Sequence, residues 1–114
     1  MNTPICTFLQ KYASDDNIRL HMPGHKGIGE VESFDLTEID GADSLYEASG
    51  IIKESEDNAS RLFRSHTLYS TEGSSLAIRA MLYLALLTNK TKDKPVILAG
   101  RNAHKVFVSA SALL

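Results

Sequence analysis

Apolar positions change their spacing several times along the chain, and each change predicts a different element. From Ile5 to Tyr12 they recur at helical spacing. Elsewhere in residues 1–44 they scatter with no sustained period, and this stretch holds four of the seven glycines and two of the three prolines, the composition of an N-terminal arm and not of a core. From Ser49 to Arg64 the helical period returns, with Ile52, Ser55/Ala59, Leu62 and Phe63 on one face and Lys53, Glu54, Glu56, Asp57 and Arg61 on the other, which predicts an amphipathic surface helix. His66 to Tyr69 is a short β-like run, read as a strand over Thr67-Leu68-Tyr69. Ser74 to Thr88 predicts a helix apolar nearly all round. Val96-Ile97-Leu98-Ala99, after the polar link Asn89 to Lys94, predicts a fully buried strand, and a last helix begins near Asn102. Helix, strand, helix, strand, helix is the opening of an α/β layer fold with a mostly parallel sheet and helices on both faces. Residues 45–114 are therefore expected to begin a major domain, with residues 1–44 as the arm before it.

Composition narrows the class. The chain has 114 residues, 43% hydrophobic and 23% charged, enough for one modest domain. It stops at Ser109-Ala110-Ser111-Ala112-Leu113-Leu114, inside an apolar helical pattern with no Gly, Asn or basic cap, and so reads as a truncated piece. A net charge of -2 with interspersed signs offers no basic field, which argues against nucleic acid or an anionic membrane as partner. The single Cys6 allows no internal disulfide, the first fifteen residues lack the layout of a signal peptide, and a cytoplasmic location is expected. The longest apolar run, Ala80 to Leu87, falls far short of the roughly 20 residues that span a bilayer, so it reads as a buried helix.

Candidate chemistry concentrates at Ser70-Thr71-Glu72-Gly73-Ser74-Ser75, between the first predicted strand and the apolar helix. The first N–H groups of a helix lack intrahelical partners, the macrodipole places partial positive charge there, and glycine lets an anion approach the backbone. Gly73, Ser74 and Ser75 would then cradle a phosphate; the plainer alternative is an N-cap. His104, after the second predicted strand, would lie across the same sheet edge, where open α/β sheets bind ligands. Other constellations carry less. His21 and His25 have the spacing of a helical metal pair, but Pro23 and Gly24 between them oppose a helix, and no metal site is expected. Gly24-His25-Lys26-Gly27 lacks the spacing of a nucleotide-binding P-loop. Asp35, Glu38, Asp40 and Asp43 form an acidic stretch, read chiefly as solvated, with recognition of a substrate ammonium as the alternative.

His21-Met22-Pro23-Gly24-His25-Lys26-Gly27, Asp35-Leu36-Thr37-Glu38, Gly50-Ile51-Ile52-Lys53-Glu54, the Ser/Gly turn and Gly100-Arg101-Asn102-Ala103-His104-Lys105 occur in the order found in bacterial Orn/Lys/Arg decarboxylases. The chain resembles the N-terminal part of these enzymes from His21 to about Ser109, and the PGHKG run is the most specific element. The resemblance implies a pyridoxal-phosphate enzyme of the aspartate-aminotransferase fold type, a homo-oligomer such as a homodimer, that decarboxylates arginine, lysine or ornithine to a polyamine precursor. It further implies that Gly73, Ser74 and Ser75 hold the cofactor phosphate and that His104 stacks on the pyridoxal ring. The PGHKG segment would lie near the active site and a subunit contact. The lysine that holds the cofactor and the aspartate facing its pyridine nitrogen are expected beyond residue 114, so no catalytic residue is assigned within this chain, which alone should be inactive. One departure stands out: Glu72 occupies a position where relatives commonly carry Asn. Two other readings remain open at this point, namely another enzyme of the same fold type, such as an aminotransferase or a carbon–sulfur lyase, and a non-catalytic assembly module.

Overall fold

The computed structural model describes residues 2–89 and 95–114. Two compact units, Met1–Tyr69 and Ser70–Leu114, divide the chain. The predicted link Asn89 to Lys94 falls largely on residues 90–94, outside the described residues.

In the first unit, α1 runs over Pro4–Ser14 and a short 3-10 turn over Glu32–Phe34. Helix α2 follows at Ile51–Phe63. Pro4 occupies the first helical turn, where its missing N–H costs nothing, and the last turn of α1 carries Lys11, whose charge suits the negative end of the dipole. Helix α1 packs against both α2 and the 3-10 turn. Residue 50 is a glycine and cannot cap α2 with a side chain. Asp43 does so from seven residues upstream: one carboxylate oxygen accepts the Ser44 and Ser49 N–H groups at 2.9 and 3.1 Å, and the other accepts those of Gly50 and Ile52 at 2.8 and 3.0 Å. At the far end Arg64 takes a left-handed conformation (φ 52°), and the Ser65 N–H closes the turn onto the Ser60 carbonyl at 3.2 Å.

The Asp43 clasp yields a prediction. Backbone donors, Ser49 first, outweigh the opposing effect of desolvation and hold the Asp43 carboxyl at about 2, below its ordinary 3.8. A carboxyl whose folded pKa is depressed stabilises the fold above its unfolded pKa, and that contribution disappears as pH falls through the folded value. Hydrogen exchange at Gly50 and Ile52 should therefore stay protected down to about pH 4, after allowance for intrinsic exchange, and lose protection towards pH 2. Asp43→Ala should remove it at every pH; equal protection in that variant would contradict the clasp.

In α2 the expected polar face does not hold. Glu56 and Asn58 are the buried residues of this helix, whereas Leu62 and Phe63 are exposed. Both polar side chains have partners: Glu56 accepts the Tyr69 N–H on Oε1 at 2.7 Å, and the Asn58 amide donates to the Asn2 carbonyl and side chain at 3.2 and 3.1 Å.

The second unit holds α3 at Ser74–Thr88 and α4 at Lys105–Leu113, packed against each other. Helix α3 is rich in Ala, Leu, Met and Arg, strong helix formers, with no internal Gly or Pro, and it occupies the predicted range. Its buried residue is Leu82, which with Val106 and Ala110 of α4 forms the buried apolar set of this unit. Ala110 is 1% exposed, small enough for the two helices to approach closely.

The expected α/β fold with a mostly parallel sheet is corrected by the structure. Among the described residues every regular element is helical, with no strand and no sheet. The two runs predicted as strands are irregular and unpaired. Thr67 and Tyr69, alternate residues whose N–H groups a ladder would use, donate instead to Ser60 Oγ at 2.9 Å and to Glu56 Oε1 at 2.7 Å on α2. The run from Val96 is open to solvent, with Leu98 94% exposed. β-branched and apolar composition favours extension, but a strand exists only when a neighbour supplies the other half of its hydrogen bonds.

Candidate functional site

The Ser70–Ser75 turn leads directly into α3. Gly73 is the N-cap residue, with φ 62° and ψ -149°, a region that is essentially confined to glycine. A Cβ built on it meets nothing within 4 Å, so its surroundings are open and backbone conformation alone demands glycine. Ser70 fixes the turn, its hydroxyl donating to the Gly73 carbonyl at 2.7 Å and accepting the Glu72 N–H at 3.3 Å. No side chain caps α3. The hydroxyls of Ser74, which is exposed, and Ser75, which is half-buried, make no hydrogen bond among the described residues. A glycine in this conformation, an uncapped helix start and two spare hydroxyls offer a set of donors matched to a phosphate.

Glu72 is the acid that would oppose such an anion. Its carboxylate is turned onto Arg79 of α3, with Arg79 Nη1 at 2.8 Å from Glu72 Oε2. The pair is exposed and contributes little stability, but it compensates the charge that would otherwise face the turn. Ser70 is placed in this turn by sequence reasoning but without a role, and Arg79 is not singled out by it. The seven-residue separation of Glu72 and Arg79, about two helical turns, is the signal that could have found the pair.

His104 is the N-cap of α4, the helix that packs on α3. Its Nδ1 accepts the Val106 N–H at 3.2 Å, which leaves the proton of the neutral ring on Nε2, and the residue is exposed. Gly73, Ser74, Ser75 and His104 thus all belong to the second unit and all sit at helix starts. His104 does perform a capping task, and its exposed ring also offers a face.

In the first unit the PGHKG run is a loop held by its own side chains. His25 Nδ1 accepts the Gly27 N–H at 3.0 Å, and its Nε2 lies 3.2 Å from an Asp35 oxygen. Lys26 donates to the His21 carbonyl at 2.7 Å, while His21 Nε2 lies 3.1 Å from the Tyr12 hydroxyl. His21 and His25 therefore turn to different partners. Of the acidic stretch, Asp35 is engaged with His25, and Asp43, instead of being solvated, clasps α2. No helix among the described residues is long and apolar enough to cross a membrane.

Comparison with known proteins adds the family. A family model for the Orn/Lys/Arg decarboxylase major domain matches residues 3–114. Arginine decarboxylases of Bacillus subtilis (strain 168) and Bacillus cereus are each 36% identical over 95% of this chain, covering 24% and 25% of their own lengths. The arginine decarboxylase of Halalkalibacterium halodurans is 31% identical over 95% of the chain and 24% of its own length. The chain thus spans about a quarter of the length of the curated relatives it matches. No solved structure gives a significant match. Since the family model covers all but the first two residues, the chain belongs to the Orn/Lys/Arg decarboxylase family, within its major domain.

Proposed function

We propose that this chain contributes the phosphate-binding part of a pyridoxal-phosphate-dependent decarboxylase acting on a basic amino acid, with arginine, the substrate in the relatives' names, as the first choice over lysine and ornithine. The observation that carries this reading is the start of α3: Gly73 in a glycine-only conformation, no side-chain cap, and free hydroxyls on Ser74 and Ser75. When bound, pyridoxal phosphate supplies the electron sink that allows the α-carboxylate of an amino acid to leave as carbon dioxide. The residues of this chain bind and orient. Backbone N–H groups of the first turn of α3, with the two serine hydroxyls, take the phosphate oxygens. The exposed face of His104 is the stacking surface for the ring. Arg79 draws Glu72 aside, so the anion does not meet an uncompensated acid.

The chain holds no residue assigned to the covalent chemistry, and activity belongs to the whole protein. The test is release of carbon dioxide from labelled arginine, lysine and ornithine by the purified product of the complete reading frame, with and without pyridoxal phosphate. Release that requires the cofactor, fastest with arginine, is expected. No release from any of the three would sink the reading. The 114-residue chain alone is expected to release none.

Assembly as a homo-oligomer in the cytoplasm completes the proposal, and association can be checked on the chain itself. Met81, Leu84 and Leu87 on α3 and Val108 and Leu113 on α4 are exposed, more apolar surface than a small soluble unit ordinarily leaves in water. The chain should sediment as an associating species at micromolar concentrations. A monodisperse monomer would count against it.

A further inference from the structure

Glu56 is a carboxylate only 4% exposed, and it has no salt-bridge partner among the described residues. Its Oε1 accepts the Tyr69 N–H; its Oε2 makes no hydrogen bond. No buried side-chain polar atom in the described residues is left unpaired, so Oε2 must reach accessible space. Glu56 lines a cavity of about 370 Å³ together with Leu45, Tyr46, Lys53, His66 and Leu68. Lys53 does not close it, because its ammonium is held by Asp57 Oδ1 at 2.5 Å on the next turn of α2. Lys53 therefore acts on Glu56 only through space, no cation among the described residues lies within salt-bridge distance of the Glu56 carboxylate, and its open oxygen can accept from a cationic guest.

The lining decides which cation. A metal ion needs several oxygen ligands, and a single open carboxylate oxygen does not supply them. A guanidinium is best matched by two acceptor oxygens side by side, and one of the two on Glu56 is already engaged. A primary ammonium needs one strong acceptor, with His66 available as a second. Leu45 and Leu68 provide apolar walls for a short alkyl chain, and Tyr46 adds an aromatic side chain to the lining. We propose that the cavity between Glu56, His66 and Tyr46 is a binding site for a short primary alkylammonium ion. It uses no residue of the turn at Gly73 and so stands or falls independently of the decarboxylase reading.

The test titrates the chain with n-butylammonium and follows the amide resonances of Tyr46, His66 and Tyr69, with n-butanol and n-butylguanidinium as comparisons. Saturable shifts in the millimolar range are expected for the ammonium. Butanol should give none, and the guanidinium should bind about 10-fold more weakly. Glu56→Gln keeps an oxygen for the Tyr69 N–H while removing the charge, and should weaken ammonium binding about 10- to 100-fold. Lys53→Met, on the exposed side of α2, removes a nearby positive charge and should strengthen binding about threefold, a change that a merely structural Glu56 would not produce. Absence of saturable shifts in the parent overturns the proposal. So does equal binding of butanol, unchanged affinity in a folded Glu56→Gln variant, or unchanged or weaker affinity in Lys53→Met.

Discussion

Leu82→Ala is expected to abolish stable packing of α3 on α4. A large-to-small change at a buried leucine costs about 2–5 kcal/mol, through lost transfer energy and the cavity left behind. Leu82 is 5% exposed and is the buried residue of α3, opposite a face whose buried members are Val106 and Ala110. A unit of this size commands on the order of 2–7 kcal/mol in all, so a loss of that size consumes most of it. Hydrogen exchange along α3 and α4 should therefore lose most of its protection in the variant. Leu87→Ala, five residues along the same helix but 63% exposed, should change stability by no more than about 0.5 kcal/mol. Equal protection in the Leu82→Ala variant and the parent would show that the two helices are held by something other than this contact.

The second large effect is expected at the turn, read in the complete protein by cofactor titration. Each serine hydroxyl that donates to a phosphate oxygen makes a charge-assisted hydrogen bond worth roughly 1.5–3 kcal/mol, so Ser74→Ala should weaken pyridoxal phosphate about 10- to 100-fold. Gly73→Ala meets no steric obstacle, but it places a side chain on a backbone conformation that costs about 1–3 kcal/mol outside glycine. The turn should relax, swing its N–H groups off the phosphate, and lower affinity by at least as much. His104→Ala confounds two losses, the stacking face and the α4 cap, the latter worth about 1 kcal/mol. His104→Asn separates them, since Asn can still cap; reduced turnover in that variant isolates the ring. Glu72→Gln is the control, expected to leave affinity unchanged or to raise it by freeing Arg79. Should Ser74→Ala bind cofactor like the parent while Glu72→Gln abolishes binding, the turn is a cap and the phosphate assignment is wrong.

Where these effects were legible beforehand follows from how local their causes are. The limits of α3 are written in a glycine and two serines followed by a series rich in helix formers and free of Gly and Pro, and each contributes through its own backbone or its neighbours within a turn. The same holds for α2, observed over Ile51–Phe63 within the predicted Ser49 to Arg64, whereas α4 begins at Lys105, three residues beyond the expected Asn102. The Gly-Ser-Ser turn and the PGHKG run, both contiguous, were enough to indicate the family. Side-chain commitments across a loop were not legible. Nothing in the spacing of Asp43 and Ile52 announces that one carboxylate will collect four backbone donors, because the chain must first fold back between them.

Two expectations failed for a common reason. Helical periodicity identified α2 but not which of its faces turns inward; Glu56 and Asn58 went in because Tyr69 and Asn2 brought partners for them, and Leu62 and Phe63 stayed out. Apolar, β-branched composition marked residues 66–69 and 96–99 as extended, but no strand formed where α2 had already taken the Thr67 and Tyr69 N–H groups. By itself, then, the sequence determined what each segment prefers within about one helical turn, namely helix limits, the glycine-dependent turn and the motif order that marks the family. Only the tertiary structure decided which donors met which acceptors across the chain. Local preference is a property of neighbouring residues, whereas a ladder, a buried carboxylate or a distant cap exists only once its second partner has been brought into contact.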